Sequence, residues 1–149
     1  MPSLDLIFTS PLLRTLQTTS LLRQQFDCDV IVTDFLTERR GLGHKCNDRT
    51  NMETLQKTFP SFHFAITDPP SHTSESEVET DAELEQRVET IVKIAQSMDY
   101  SCVGFVSHHE TLKAYLGESL KNAQWRSFVR PFYSVSGSTQ IGISSSGTF

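Results

Sequence analysis

Two short apolar runs, each passing without a break into polar residues and then into a helix, constrain this chain more than any other feature. The first, Leu4-Asp5-Leu6-Ile7-Phe8-Thr9, ends at Ser10-Pro11, and the second, Cys102-Val103-Gly104-Phe105-Val106, ends at Ser107-His108-His109. Short runs centred on Ile, Phe and Val have the length and composition of strands. The second is apolar throughout, as expected of a strand covered on both faces within a parallel sheet. Ser10-Pro11 suits a helix N-cap and first helical position, because proline lacks only an N–H that would be unpaired there. Leu12, Leu13, Leu16, Leu22 and Phe26 then recur at helical spacing and predict a helix to about Gln25. Asp29-Val30-Ile31-Val32-Thr33 predicts the next strand, so the opening reads strand–helix–strand, the unit of an α/β layered fold.

The same order returns later in the chain. From Asp34 to Asn51 the pattern is irregular, with Gly41, Gly43 and many basic residues, and a short helix is expected from Asn51 to Thr58 before Phe59-Pro60. Thr67 to Glu79 is polar and acidic and reads as an exposed loop. Thr80-Asp81-Ala82-Glu83 has capping-box spacing, and Leu84, Val88, Ile91, Val92 and Ala95 form the apolar stripe of the helix it opens. Leu112, Tyr115 and Leu116 predict a helix after His109; a strand is expected at 139–143, followed by a mobile Ser/Gly-rich end. No repeat or linker divides the 149 residues, which are read as one domain, 1–149.

Composition excludes several partners. A formal net charge of -5 argues against general nucleic-acid binding, and no apolar run approaches the roughly 20 residues that span a bilayer. The first residues show no signal peptide, and three widely spaced cysteines read as free thiols in a reducing compartment. The expectation is a soluble cytoplasmic protein that binds neither nucleic acid nor membrane.

Chemistry is expected at the two strand-to-helix junctions, since ligands of open α/β sheets bind outside the carboxyl ends of strands. Helix N-termini there offer free N–H groups and partial positive charge, which suit phosphate. Arg14, in the first helical turn, would lean back over the strand end and could bind phosphate oxygens bidentately; the bland alternative is a solvated arginine. His108 could hydrogen-bond a phosphoryl oxygen, or simply cap the strand end. A metal site from His44, Cys46, His108 and His109 is not expected, because neither C-x-x-C nor H-E-x-x-H spacing occurs.

Ser10-Pro11-Leu12-Leu13-Arg14-Thr15-Leu16-Gln17-Thr18 resembles the S-P-x-x-R-x-x-x-T segment of the histidine phosphatases, the superfamily of cofactor-dependent phosphoglycerate mutases. Val106-Ser107-His108 is similar to that family's second-histidine motif, and Leu36-Thr37-Glu38 matches the place of its catalytic acid. Glu38-Arg39-Arg40-Gly41-Leu42-Gly43-His44-Lys45-Cys46-Asn47-Asp48-Arg49 with Phe59-Pro60, together with Glu79-Thr80 and Arg87, resembles the plant and fungal phosphoglycerate-mutase-like phosphatases. The resemblance implies a three-layer α/β fold with a mostly parallel sheet and helices on both faces. It implies a phosphatase or mutase acting on a phosphomonoester through a phosphohistidine. Arg14 would then bind the phosphoryl oxygens, His108 would stabilise their charge, and Glu38 would act as general acid. Ser10 would shape the pocket and the N–H of His109 would face the phosphate, although the family usually has glycine at that position. No cofactor and no metal are implied.

One departure is large. The family's nucleophile lies in an Arg-His-Gly motif on a first strand, and no Arg-His-Gly occurs in this sequence. The chain is therefore expected to lack that strand and to be N-terminally truncated relative to the family, which makes turnover doubtful. The alternative is a non-catalytic pseudophosphatase that binds a phosphorylated small molecule or a phosphoprotein. An absent central strand would leave sheet edges open, from which a homodimer is expected.

Overall fold

The structure, a computed structural model, describes residues 3–65, 78–129 and 142–148. Four parallel strands, β1 (Leu6–Thr9), β2 (Asp29–Val32), β3 (His63–Phe64) and β4 (Val103–Val106), form one sheet in the order β3-β2-β1-β4. Helices α1 (Leu13–Phe26), α2 (Met52–Thr58) and α3 (Asp81–Ser97) lie in the connections between them, and α4 (His109–Leu116) follows β4. β5 (Gln124–Val129) and β6 (Gly142–Thr148) form a separate antiparallel pair. This is the α/β fold with a mostly parallel sheet that the strand–helix–strand order predicts.

Alternation along β1 divides the core in two. Ile7 joins Val30 and Val32 on one face, under Leu16 and Leu22 of α1 and Leu55 of α2. Leu6 and Phe8 point to the opposite face and pack with Ile91 and Ala95 of α3, together with Leu36. Phe8 and Phe105, cross-strand partners of β1 and β4, stack with centroids 5.8 Å apart.

Several elements differ in detail from expectation. α1 begins at Leu13 with Leu12 as its N-cap, not at Ser10-Pro11. Ser10 instead bends the chain, its Oγ accepting the Leu12 N–H at 3.3 Å. Thr15 and Thr19 share the buried face of α1 with Leu16 and Leu22, and Leu13, to one side of that face, is 44% exposed. The hydroxyls satisfy themselves locally, Thr15 on the carbonyls of Ser10 and Leu12 and Thr19 on Thr9 Oγ1. The capping box at Thr80 and the stripe of α3 are as predicted, with Arg87 buried among the apolar residues. β4 is only half-buried, not covered throughout, because it is an edge: among the described residues it pairs with β1 alone. The Ser/Gly-rich end forms β6, held by pairing with β5. The acidic loop lies largely outside the described residues, as does the start of the strand expected at 139–143.

Candidate functional site

Parallel pairing of β1 with β4 puts the carboxyl ends of both strands at one edge, Thr9 opposite Val106. The Ser10 N–H continues the ladder to the Val106 carbonyl at 3.1 Å, so the two predicted junctions become one place. There Ser10 Oγ lies 2.7 Å from His108 Nε2, with both residues buried. β2 ends at the same edge, and a single 3-10 turn, Asp34–Leu36, redirects its chain toward α4.

Glu38 is delivered by that turn. Its Oε1 accepts from the Thr111 N–H and Thr111 Oγ1, both at 3.2 Å, and from the Arg39 N–H at 3.0 Å. The carboxylate thus sits on the N-terminal turn of α4, next to the helix's positive end. Ser107 Oγ donates to the Leu36 carbonyl at 2.7 Å and Thr111 Oγ1 to that of Thr37 at 2.8 Å. Glu38 and His108 are therefore bound to one frame, and no described residue hydrogen-bonds Glu38 Oε2.

The frame is locked from beneath by Arg87. Its Nε and Nη2 each donate to a Glu79 carboxylate oxygen at 2.8 Å. Its Nη1 donates to the carbonyls of Phe35 at 2.8 Å and Thr37 at 3.0 Å. Burial pushes the Glu79 carboxyl up, but the hydrogen bonds and charge of Arg87, with help from Arg40, outweigh it and hold the pKa below the usual range.

His108 is the N-cap of α4, its carbonyl accepting from Leu112 N–H at 2.9 Å. Burial first, then the guanidinium charges of Arg14 and Arg87, push its pKa from 6.5 down to about 3. The imidazole is neutral at physiological pH and acts on a ligand as a hydrogen-bonding group, without a fixed charge.

Arg14 does not lie free over the strand end. Its Nη1 donates to the Cys46 carbonyl at 2.5 Å and its Nη2 to Asn47 Oδ1 at 2.9 Å. It nevertheless stays close enough to lower the His108 pKa. His109 takes an ordinary helical φ, so glycine's conformational freedom is not needed there. Its exposed ring turns away, Nδ1 lying 3.2 Å from the Leu120 carbonyl. His44 is exposed and lines a separate cavity beyond Glu38.

The sequence reading singled out Ser10, Arg14, Glu38, His108 and His109, and the structure gathers the first four around the ends of β1 and β4. It did not single out Thr111 or Asn47, and it assigned no task to Arg87. Thr111 is three residues beyond His108, a spacing that puts it in the same helical turn; Asn47 carried no legible signal.

A family model described as Histidine phosphatase superfamily (branch 1) matches residues 2–143. No curated protein matches the chain. Among the described residues no helix is long and apolar enough to cross a membrane.

Proposed function

Because the chain belongs to the histidine phosphatase superfamily, branch 1, we propose that it binds the phosphoryl group of a phosphomonoester where β1 and β4 end. The supporting observation is the convergence of Ser10, His108 and Glu38 on the N-terminal turn of α4. In this reading Arg14 binds phosphoryl oxygens with the three N–H groups left after its two loop contacts. Neutral His108 donates a hydrogen bond to a phosphoryl oxygen, and the His109 N–H, left over by the helix, supplies another. Glu38 Oε2 lies on the side of the ester oxygen, where it would protonate that oxygen as an acceptor for the phosphoryl group bonds to phosphorus.

A second reading is binding without turnover, of a phosphorylated small molecule or a phosphoprotein. It is favoured by the direction of the His109 ring, away from Ser10. The 149-residue chain alone is therefore expected to bind phosphate and to leave an aryl phosphate intact. Inorganic phosphate should shift the His108 ring signals in an NMR titration; an unmoved ring removes the phosphate pocket. Hydrolysis that disappears in His108→Ala would exclude the binding-only reading.

Among the described residues β4 pairs with β1 alone, and an outer edge left in this way supports a self-paired dimer, in which two copies join their sheets edge to edge. Sedimentation should then show a concentration-dependent association, and a monomer at every concentration would rule the dimer out.

A further inference from the structure

A neutral imidazole carries one ring hydrogen, on Nδ1 or on Nε2, and the other nitrogen can only accept. Which nitrogen offers a donor to a ligand is set by the partner of the other. His108 is neutral, held so by burial and by the guanidinium charges of Arg14 and Arg87. Its Nε2 lies 2.7 Å from Ser10 Oγ, the one hydrogen bond of the ring among the described residues.

A count of hydrogens separates the two tautomers. Ser10 is 0% exposed, and its Oγ already accepts the Leu12 N–H at 3.3 Å. Among the described residues the only acceptor within reach of its own O–H is His108 Nε2. With the hydrogen on Nε2, Ser10 Oγ would accept twice and its O–H would be stranded in a closed place, which native structures avoid. With the hydrogen on Nδ1, the hydroxyl donates to a bare Nε2 and both polar groups are paired. The short 2.7 Å separation also suits an O–H donor, whose bonds run shorter than those of N–H donors.

The start of α4 gives a second, independent reading. His108 is its N-cap, where an acceptor side chain takes one of the free helical N–H groups. The His108 ring makes no such bond, and the Thr111 N–H goes to Glu38 Oε1. A protonated Nδ1 has no lone pair to cap with.

We propose that Ser10 is a positioning residue that fixes His108 as its Nδ1–H tautomer, so that Nδ1–H is the donor offered to a phosphoryl oxygen. The inference rests on the phosphoryl site proposed above and names the atom through which His108 serves it. Nδ1 is also the ring nitrogen nearer the main chain, and thus nearer the N–H groups at the start of α4.

NMR of nitrogen-15-labelled rings tests it in the full 149-residue chain, because protonated and bare imidazole nitrogens give widely separated signals. The His108 pair is identified by its loss in His108→Asn. At neutral pH the wild type should show Nδ1 protonated and Nε2 bare. Nε2 protonated, both protonated, or an average of the two tautomers overturns the proposal, and this needs no change at Ser10. Ser10→Ala removes one oxygen and little volume, and its Tm checks the fold. Its ring should move toward the Nε2–H form that histidine favours in water. Inorganic phosphate should then bind roughly threefold to tenfold more weakly, in step with the Nδ1–H fraction lost, because apparent affinity scales with the competent population. An Nδ1–H ring that persists in Ser10→Ala overturns the role of Ser10, as does an undiminished affinity once the tautomer is lost. Phosphate added to the wild type should move Nδ1 more than Nε2, and the reverse order overturns the proposal. Two unmoved nitrogens in a ring of the expected tautomer overturn the phosphoryl site and leave the assignment of Ser10 to the tautomer standing.

Discussion

Arg87→Met is expected to lower the stability of the fold by about 3 kcal/mol, the low end for breaking a buried ion pair. The Glu79 side chain is 2% exposed, and without Arg87 its carboxylate keeps only the Arg40 N–H and the more distant Arg40 charge. The carbonyls of Phe35 and Thr37 lose their partner in the same substitution. A fall in Tm on the order of 10 °C would follow for a chain of this size. Pairing Arg87→Met with Glu79→Met should restore part of the loss, because the uncompensated charge disappears while the loop carbonyls stay unpaired. Phosphate binding should be weaker than in the wild type in the double variant, since the segment carrying Glu38 loses its hold from beneath and keeps only its bonds to Ser107 and Thr111. A loss below about 1 kcal/mol in the single variant would show that the pair contributes little to the frame.

In acid the largest change is expected from His108. The imidazole titrates near 6.5 in the unfolded chain and near about 3 in the folded one. Between those values the unfolded state binds one proton more than the folded state, so stability falls as pH drops. The contribution is complete above 6.5, is lost progressively toward 3, and amounts to about 4–5 kcal/mol across the window. His108→Asn keeps a polar partner for Ser10 and does not titrate, so its urea-unfolding profile should be flatter between pH 3.5 and 6 by most of that amount. Glu79 contributes in the same direction in both proteins, its lowered pKa making acid destabilising, and cancels in the difference. Equal slopes for the two proteins would mean that the imidazole is charged when folded. A bound phosphate anion beside the ring should oppose the shift, so the free and phosphate-bound proteins should differ in acid sensitivity.

Much of the frame is written locally. Among the described residues, β1, β2, β4 and the four helices are carried by short signals: apolar runs at 4–9, 29–33 and 102–106, the Thr80 capping box, and Phe59-Pro60 after α2. β3 was not legible because two residues, His63 and Phe64, carry no pattern and are strand only through pairing with β2. β5 was missed for a related reason, as its ladder is made with a segment more than a dozen residues away. Periodicity places Leu13 inside, but it is exposed because the buried arc of α1 runs through Thr15, Leu16, Thr19 and Leu22 and Leu13 lies to one side of it.

For the site, the sequence determined which residue types stand at the ends of two strands, and the ordered motifs identified the family that the match over residues 2–143 establishes. Tertiary structure alone decided how those residues meet. Ser10 and His108 are 98 positions apart and touch because β1 and β4 are parallel neighbours in register. The neutrality of His108 comes from burial and two guanidinium groups brought from other elements. The same holds for Arg14, which sequence spacing points toward the strand end and the loop at Cys46 and Asn47 draws aside. Residue type and local spacing are properties of the chain itself. Distance, burial and charge compensation depend on segments far apart in sequence, and only folding brings those together.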